Sequence, residues 1–168
     1  MLEIGIGTGL NLGFYDPSRM TALVGLDPGV EMHALARQRS ERAGLPVELH
    51  PLGAERMPFE SASFDCVVCT YTLCSVTDPS AALAEMRRVL RPAGSLLFVE
   101  HGLAPDPAVV RWQRWLEPGW SRIAGGCHLT RDVPRLMRGA GFRLDMEAGY
   151  IARPHALGYN FWGVARPA

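Results

Sequence analysis

Apolar residues fall along this chain in two alternating rhythms. Short runs such as Leu2 to Ile6, Ala22 to Leu26, Phe64 to Cys69 and Leu96 to Val99 have the length and β-branched content of buried strands. Between them the spacing changes to that of helices. Val133, Leu136, Met137 and Ala140 follow i, i+3, i+4, i+7 from a Thr130 cap to a Gly141 stop. Leu83, Met86 and Leu90 line one side of a helix that Asp78-Pro79 begins, with an acid at the cap and proline at the first helical position. A third helix is predicted over Gly29 to Ala43, turning Met32, Leu35, Ala36 and Ala43 inward and stopped by Gly44 and Pro46. Thr8 to Tyr15 reads as a short helix ended by Asp16-Pro17, and Pro107 to Leu116 as another helix. Val47 to Leu52, Arg143 to Ile151 and Tyr159 to Ala165 complete the strands. Alternation of this kind predicts an α/β fold with a parallel sheet and right-handed crossovers, whose ligand lies beyond the carboxyl ends of the strands.

One of those ends carries a glycine loop. The first strand runs directly into Gly5-Ile6-Gly7-Thr8-Gly9, where backbone can approach a ligand with no Cβ in the way. A dinucleotide fingerprint, G-x-G-x-x-G, would place its third glycine at Leu10, so the spacing speaks against a dehydrogenase. Taken alone, the loop is equally an ordinary strand-to-helix turn. Asp27 changes the balance, because it ends the second apolar run about twenty residues later, where a carboxylate can accept both ribose hydroxyls of an adenosine.

Composition narrows the partner. The 168 residues fit a single domain over 1–168, and the formal net charge of zero offers no basic face for nucleic acid. A small-molecule acceptor is expected, with at most peripheral membrane contact. Four cysteines in apolar surroundings lack the density of a disulfide scaffold and fit a reducing cytoplasm. Cys66 and Cys69 are three apart on one strand and so point to opposite faces, and no metal site is expected from them. The sequence contains no basic leader and no apolar run of membrane-spanning length.

The G-x-G-x-G spacing, preceded by Glu3, resembles the first motif of class I methyltransferases that use S-adenosylmethionine. The pattern continues through Phe64-Asp65-Cys66-Val67-Val68, Thr70-Tyr71 and Leu90-Arg91-Pro92-Ala93-Gly94. A narrower likeness, to alkyl thiol methyltransferases, rests on Val68 to Val76, Val99-Glu100-His101, Leu116 to Trp120 and Gly126 to Arg131. The resemblance implies a Rossmann-like, mostly parallel seven-stranded sheet with helices on both faces. It implies S-adenosylmethionine as cofactor, held by Glu3, Gly5, Gly7 and Gly9, by Asp27 at the ribose, by Ala54 and Glu55 near the adenine, and by Thr70 near the methyl. Gly53 stands where relatives often carry an acid for the adenine amino group, which leaves backbone amides at Ala54 and apolar walls for that task. Relatives also carry a helix before the first strand. Here the first motif begins at Met1, so that helix is apparently missing and the natural start is expected upstream.

Methyl transfer from a sulfonium is an in-line displacement, in which positioning can contribute about 7–11 kcal/mol and little acid–base work is needed. A thiol acceptor must still be a thiolate, and the unperturbed thiol pKa is near 8.5. His101, ending the fifth strand, is the candidate base, and Tyr71 the candidate for cation–π contact with the sulfonium. The alternatives are a histidine that caps the strand or faces solvent, and a tyrosine that packs on the following helix. Cys74 reads as a buried structural thiol. Cys127-His128 reads as a substrate-loop contact or plain structure rather than a catalytic pair, since neighbours in sequence rarely face one another. Trp112, Trp115, Leu116 and Trp120 recur at helical spacing, as core, as the roof of an apolar acceptor pocket, or as a membrane-facing stripe. Together these residues point to methyl transfer to a small lipophilic acceptor, a thiol first and a phospholipid amine or quinone second. A protein that binds the cofactor without turnover is the alternative from another class.

Overall fold

The computed structural model describes residues 1–168. Seven strands form one sheet: β1 (Leu2–Ile4), β2 (Leu23–Leu26), β3 (Val47–His50), β4 (Phe64–Thr70), β5 (Leu90–His101), β6 (Phe142–Tyr150) and β7 (Tyr159–Pro167). Their spatial order is β3-β2-β1-β4-β5-β7-β6. The first five are parallel, with Leu2 beside both Val24 and Val67, while β7 runs antiparallel to β5 and to β6. Because β1 lies between β2 and β4, the chain reverses its direction of winding there, and a crevice opens beyond Ile4.

Five helices connect the strands: α1 (His33–Ala43), α2 (Pro79–Val89), α3 (Pro107–Ile123), α4 (Val133–Gly139) and the single turn α5 (His155–Gly158). The main core joins Leu2, Ile4, Val67, Cys69, Leu96 and Phe98 of the sheet to Leu83, Met86 and Val89 of α2 and Val133 and Met137 of α4. A smaller cluster of Ile6, Leu12, Leu23 and Leu45 packs the loop beyond β1. The helix from Asp78 starts as its sequence predicts, the Asp78 carboxylate accepting from the amides of Ser80 and Ala81.

Several elements depart from the sequence reading. After the glycine loop, Leu10–Phe14 and Pro17–Arg19 form two 3₁₀ turns in place of one α-helix. Gly9 in left-handed conformation, Gly13 and Pro17 leave too few residues for a cooperative helix. The helix expected from Gly29 begins at His33 after a 3₁₀ turn, and Leu35 is exposed while His33, Ala36 and Ser40 face inward. Polar anchors set that rotation: the His33 ring lies 3.0 Å from the Asp27 carbonyl and the Ser40 hydroxyl donates to Leu45. Asp132 caps α4, because Thr130 gives both its amide and its hydroxyl to Glu117. α3 continues past Pro118 to Ile123. Its buried anchor is Gln113, which joins the Gly102 carbonyl to the Ala104 amide, and Trp112 and Trp115 stand exposed. Core packing therefore does not describe that pair of tryptophans.

Candidate active site

A cavity of about 990 Å³ opens at the carboxyl ends of β1, β2 and β4. The glycine loop forms its floor. Gly5, Gly7 and Gly9 have φ of 68°, 53° and 77°, each in the region that other residues enter at a cost of about 1–2 kcal/mol. Their surroundings differ. A Cβ on Gly5 would lie 1.9 Å from the Thr72 hydroxyl, and one on Gly9 2.6 Å from Leu12, so both are packed against protein. At Gly7 the nearest atom would be 3.8 Å away, and this glycine faces the open cavity.

Asp27, buried at the end of β2, holds the rim. Its two carboxylate oxygens accept the amides of Gly7 and Gly29, each at 2.8 Å, so the acid fixes the loop and still borders the cavity. Glu3 does the same from below. Its oxygens accept from the Asn11 amide and the Tyr15 hydroxyl, and burial pushes its carboxyl upward against those two bonds. Asn11 also donates to the Thr70 hydroxyl at 2.9 Å, which joins the loop to the end of β4.

Ala54 and Glu55 line the opposite wall. One Glu55 oxygen accepts from the Thr77 amide at 3.1 Å. The other would lie 2.7 Å from a Cβ placed on Gly53, so the Glu55 carboxylate fills the room that the absent side chain leaves. A carboxylate thus stands near the position where the sequence appeared to lack one.

Thr70, Tyr71 and Thr72 form the remaining side. Tyr71 has φ 52°, an unfavourable conformation for a bulky residue. It leads into a turn held by Glu100, fully buried in β5, whose carboxylate accepts the successive amides of Thr72, Leu73 and Cys74 at 2.8, 2.9 and 3.2 Å. Burial raises the Glu100 carboxyl to about 7, against the pull of those amides. His101, the next residue, does not border the cavity. Its ring packs 4.9 Å from that of Tyr71, and its Nδ1 lies 3.7 Å from the Cys127 sulfur. The candidate base is thus an imidazole beside the cavity and behind Tyr71, with the β5–β7 pairing setting His101 opposite Asn160. Cys127 is lowered by a hydrogen bond from Cys74 and by His101, and Cys74 is raised by the same hydrogen bond and by burial. Trp112, Trp115, Leu116 and Trp120 do not border the cavity either.

Asn11, Thr72 and Glu100 had no role in the sequence reading. Glu100 carried the same signal as Asp27, a single acid at the end of an apolar run, whereas nothing in the spacing marks Asn11 as a partner of Thr70.

Residues 2–98 match the methyltransferase domain family, and the chain belongs to it. It is 40% identical over 136 residues to rat thiol S-methyltransferase TMT1B, covering 79% of this chain and 55% of that protein. It is also 40% identical over 145 residues to phosphatidylethanolamine N-methyltransferase of Cereibacter sphaeroides, covering 81% of this chain and 69% of the other. A SAM-dependent methyltransferase from Methanosarcina mazei has the same fold, with a TM-score of 0.76 at 23% identity over 99% of this chain and 91% of its own. The chain therefore spans only a little over half the length of the rat relative.

Proposed function

We propose that this chain, working as a single domain, transfers a methyl group from S-adenosylmethionine to a small lipophilic thiol. The observation that carries the reading is the cavity itself, which gathers an unobstructed glycine at Gly7, a rim carboxylate at Asp27 and a second carboxylate at Glu55 around one space. Those features fit the cofactor part by part: Asp27 takes the ribose hydroxyls, Ala54 and Glu55 the adenine, and Gly5 to Gly9 pass beneath the methionine portion, with Glu3 and Thr70 at its end. The bound cofactor supplies the electrophilic methyl. The protein's share is to hold the acceptor sulfur in line with it. Tyr71, which borders the cavity, is the group for cation–π contact with the sulfonium, and His101, packed against its ring, enters as the positioning residue. The similarity to a thiol S-methyltransferase favours sulfur over the amine that the Cereibacter relative is named for. Four free cysteines suit a reducing compartment such as the cytoplasm, and no helix is long and apolar enough to cross a membrane.

Calorimetric titration with S-adenosylmethionine, its demethylated product and NAD tests the cofactor. Binding of the first two and not the third is expected, and Asp27→Ala weakens it about 10–100-fold, the loss of charge-assisted hydrogen bonds. An acceptor screen with alkyl thiols, phosphatidylethanolamine and a demethylquinone then tests the substrate. Turnover of the lipid or the quinone in preference to the thiols overturns the sulfur assignment. Undiminished transfer by His101→Ala removes that residue from the mechanism.

A further inference from the structure

We propose that Cys74, His101 and Cys127 bind a zinc-class divalent cation through two sulfurs and one imidazole nitrogen. They come from three separate parts of the fold: the turn after β4, the last residue of β5, and the loop between α3 and α4. Their ligand atoms all lie within 4.8 Å of one another. The Cys127 sulfur is 3.7 Å from His101 Nδ1. Two such ligands on a tetrahedral zinc, at about 2.3 Å for sulfur and 2.0–2.1 Å for nitrogen, are about 3.6 Å apart. The pair therefore already has the separation that the ion requires.

The surrounding backbone holds this geometry without the ion. His128 donates its amide to the Cys74 carbonyl at 2.8 Å, which ties the two cysteine-bearing segments together, and Glu100 accepts the Cys74 amide. Both sulfurs are buried, and the S₂N donor set selects a soft or borderline cation over magnesium or calcium. On binding, the Cys74 S–H bond breaks and its proton leaves, together with any proton still shared between Cys127 and His101, and a doubly charged ion takes the place between the sulfurs. The nearby Arg131, which donates to the carbonyls of Leu73 and Val76, offsets Glu100 in either state. No further His, Cys, Asp or Glu joins the cluster, so the fourth position is open to water or to an added thiol. Tyr71, Ser75 and Gly125, close in sequence to these ligands or packed on them, border the cavity. The proposal does not depend on methyl transfer.

The test uses the full chain, reduced with a phosphine, stripped with a chelator and titrated with cobalt(II). A thiolate-to-cobalt charge-transfer band and tetrahedral visible bands should saturate at one equivalent, and zinc should abolish them. In weak buffer, zinc uptake should release about one to two protons per ion. Cys74→Ser and Cys127→Ser should each lose the charge-transfer intensity and His101→Ala should weaken binding, while Cys66→Ser leaves all signals intact. X-ray absorption of the zinc-loaded native chain, which needs no variant to fold, should show a shell with two sulfurs. A shell without sulfur, a charge-transfer band that survives in the Cys74→Ser/Cys127→Ser double variant, or fully reduced protein that takes up no metal would each overturn the site.

Discussion

Glu3 shows how one side chain can oppose stability and still belong to a site. It is buried, it borders the cavity, and burial holds its carboxyl above the ordinary range. A carboxyl raised on folding contributes stability below its unfolded value and loses it as pH rises through the folded one, so ionised Glu3 is a cost at neutral pH. Glu3→Gln should therefore raise the thermal midpoint at pH 8 and change it little at pH 4. The same variant should bind S-adenosylmethionine more weakly, because the carboxylate beneath the loop is gone. Melting curves at the two pH values and one titration check both. Residues of this kind are only half legible in a sequence. Gly5, Gly7, Gly9 and Asp27 announce themselves by spacing along a single chain segment, whereas the Glu100 grip on three amides and the approach of Cys127 to His101 depend on contacts between segments 26 or more residues apart.

Among the elements, strands were more legible than helices, and the reason is where their partners lie. β4 is an apolar run with parallel neighbours on both sides, so periodicity and burial agree. α1 is held by polar anchors from His33 and Ser40, which no apolar pattern encodes, and of its predicted inward residues Ala36 is buried while Leu35 stands exposed. In the turn from β1 to the 3₁₀ segment the controlling term is steric. Gly5→Ala puts a methyl onto the Thr72 hydroxyl and a side chain at φ 68°, and a loss of at least about 1–2 kcal/mol is expected from the backbone term alone. Chemical denaturation of the two proteins measures it. On α3 the expected outcome is the reverse. Trp112 and Trp115 are 60% and 71% exposed and touch each other edge to face, so Trp112→Ser/Trp115→Ser should leave stability within about 0.5 kcal/mol of the parent for each site.

At the scale of the molecule, acid should act through few groups. The Glu85 carboxyl is held below its ordinary value by Arg88 and by the Met57 amide, which clamp the 57–59 segment to α2. A lowered carboxyl contributes stability above its unfolded value and loses it as pH falls through the folded one. The thermal midpoint should therefore fall as pH drops below the ordinary carboxylate range, and Glu85→Gln should flatten that limb, as a series of melting curves against pH would show.

The sheet ends in β6, nine residues long, and its outer side pairs with nothing. A row of unused amides and carbonyls is a template for another chain, and a formal net charge of zero provides no long-range repulsion to keep copies apart. Arg143, Asp145 and Glu147 project from this strand into solvent at alternate positions. Three side chains thus guard this edge: substituting them with threonine should turn it into a seam along which molecules join sheet to sheet.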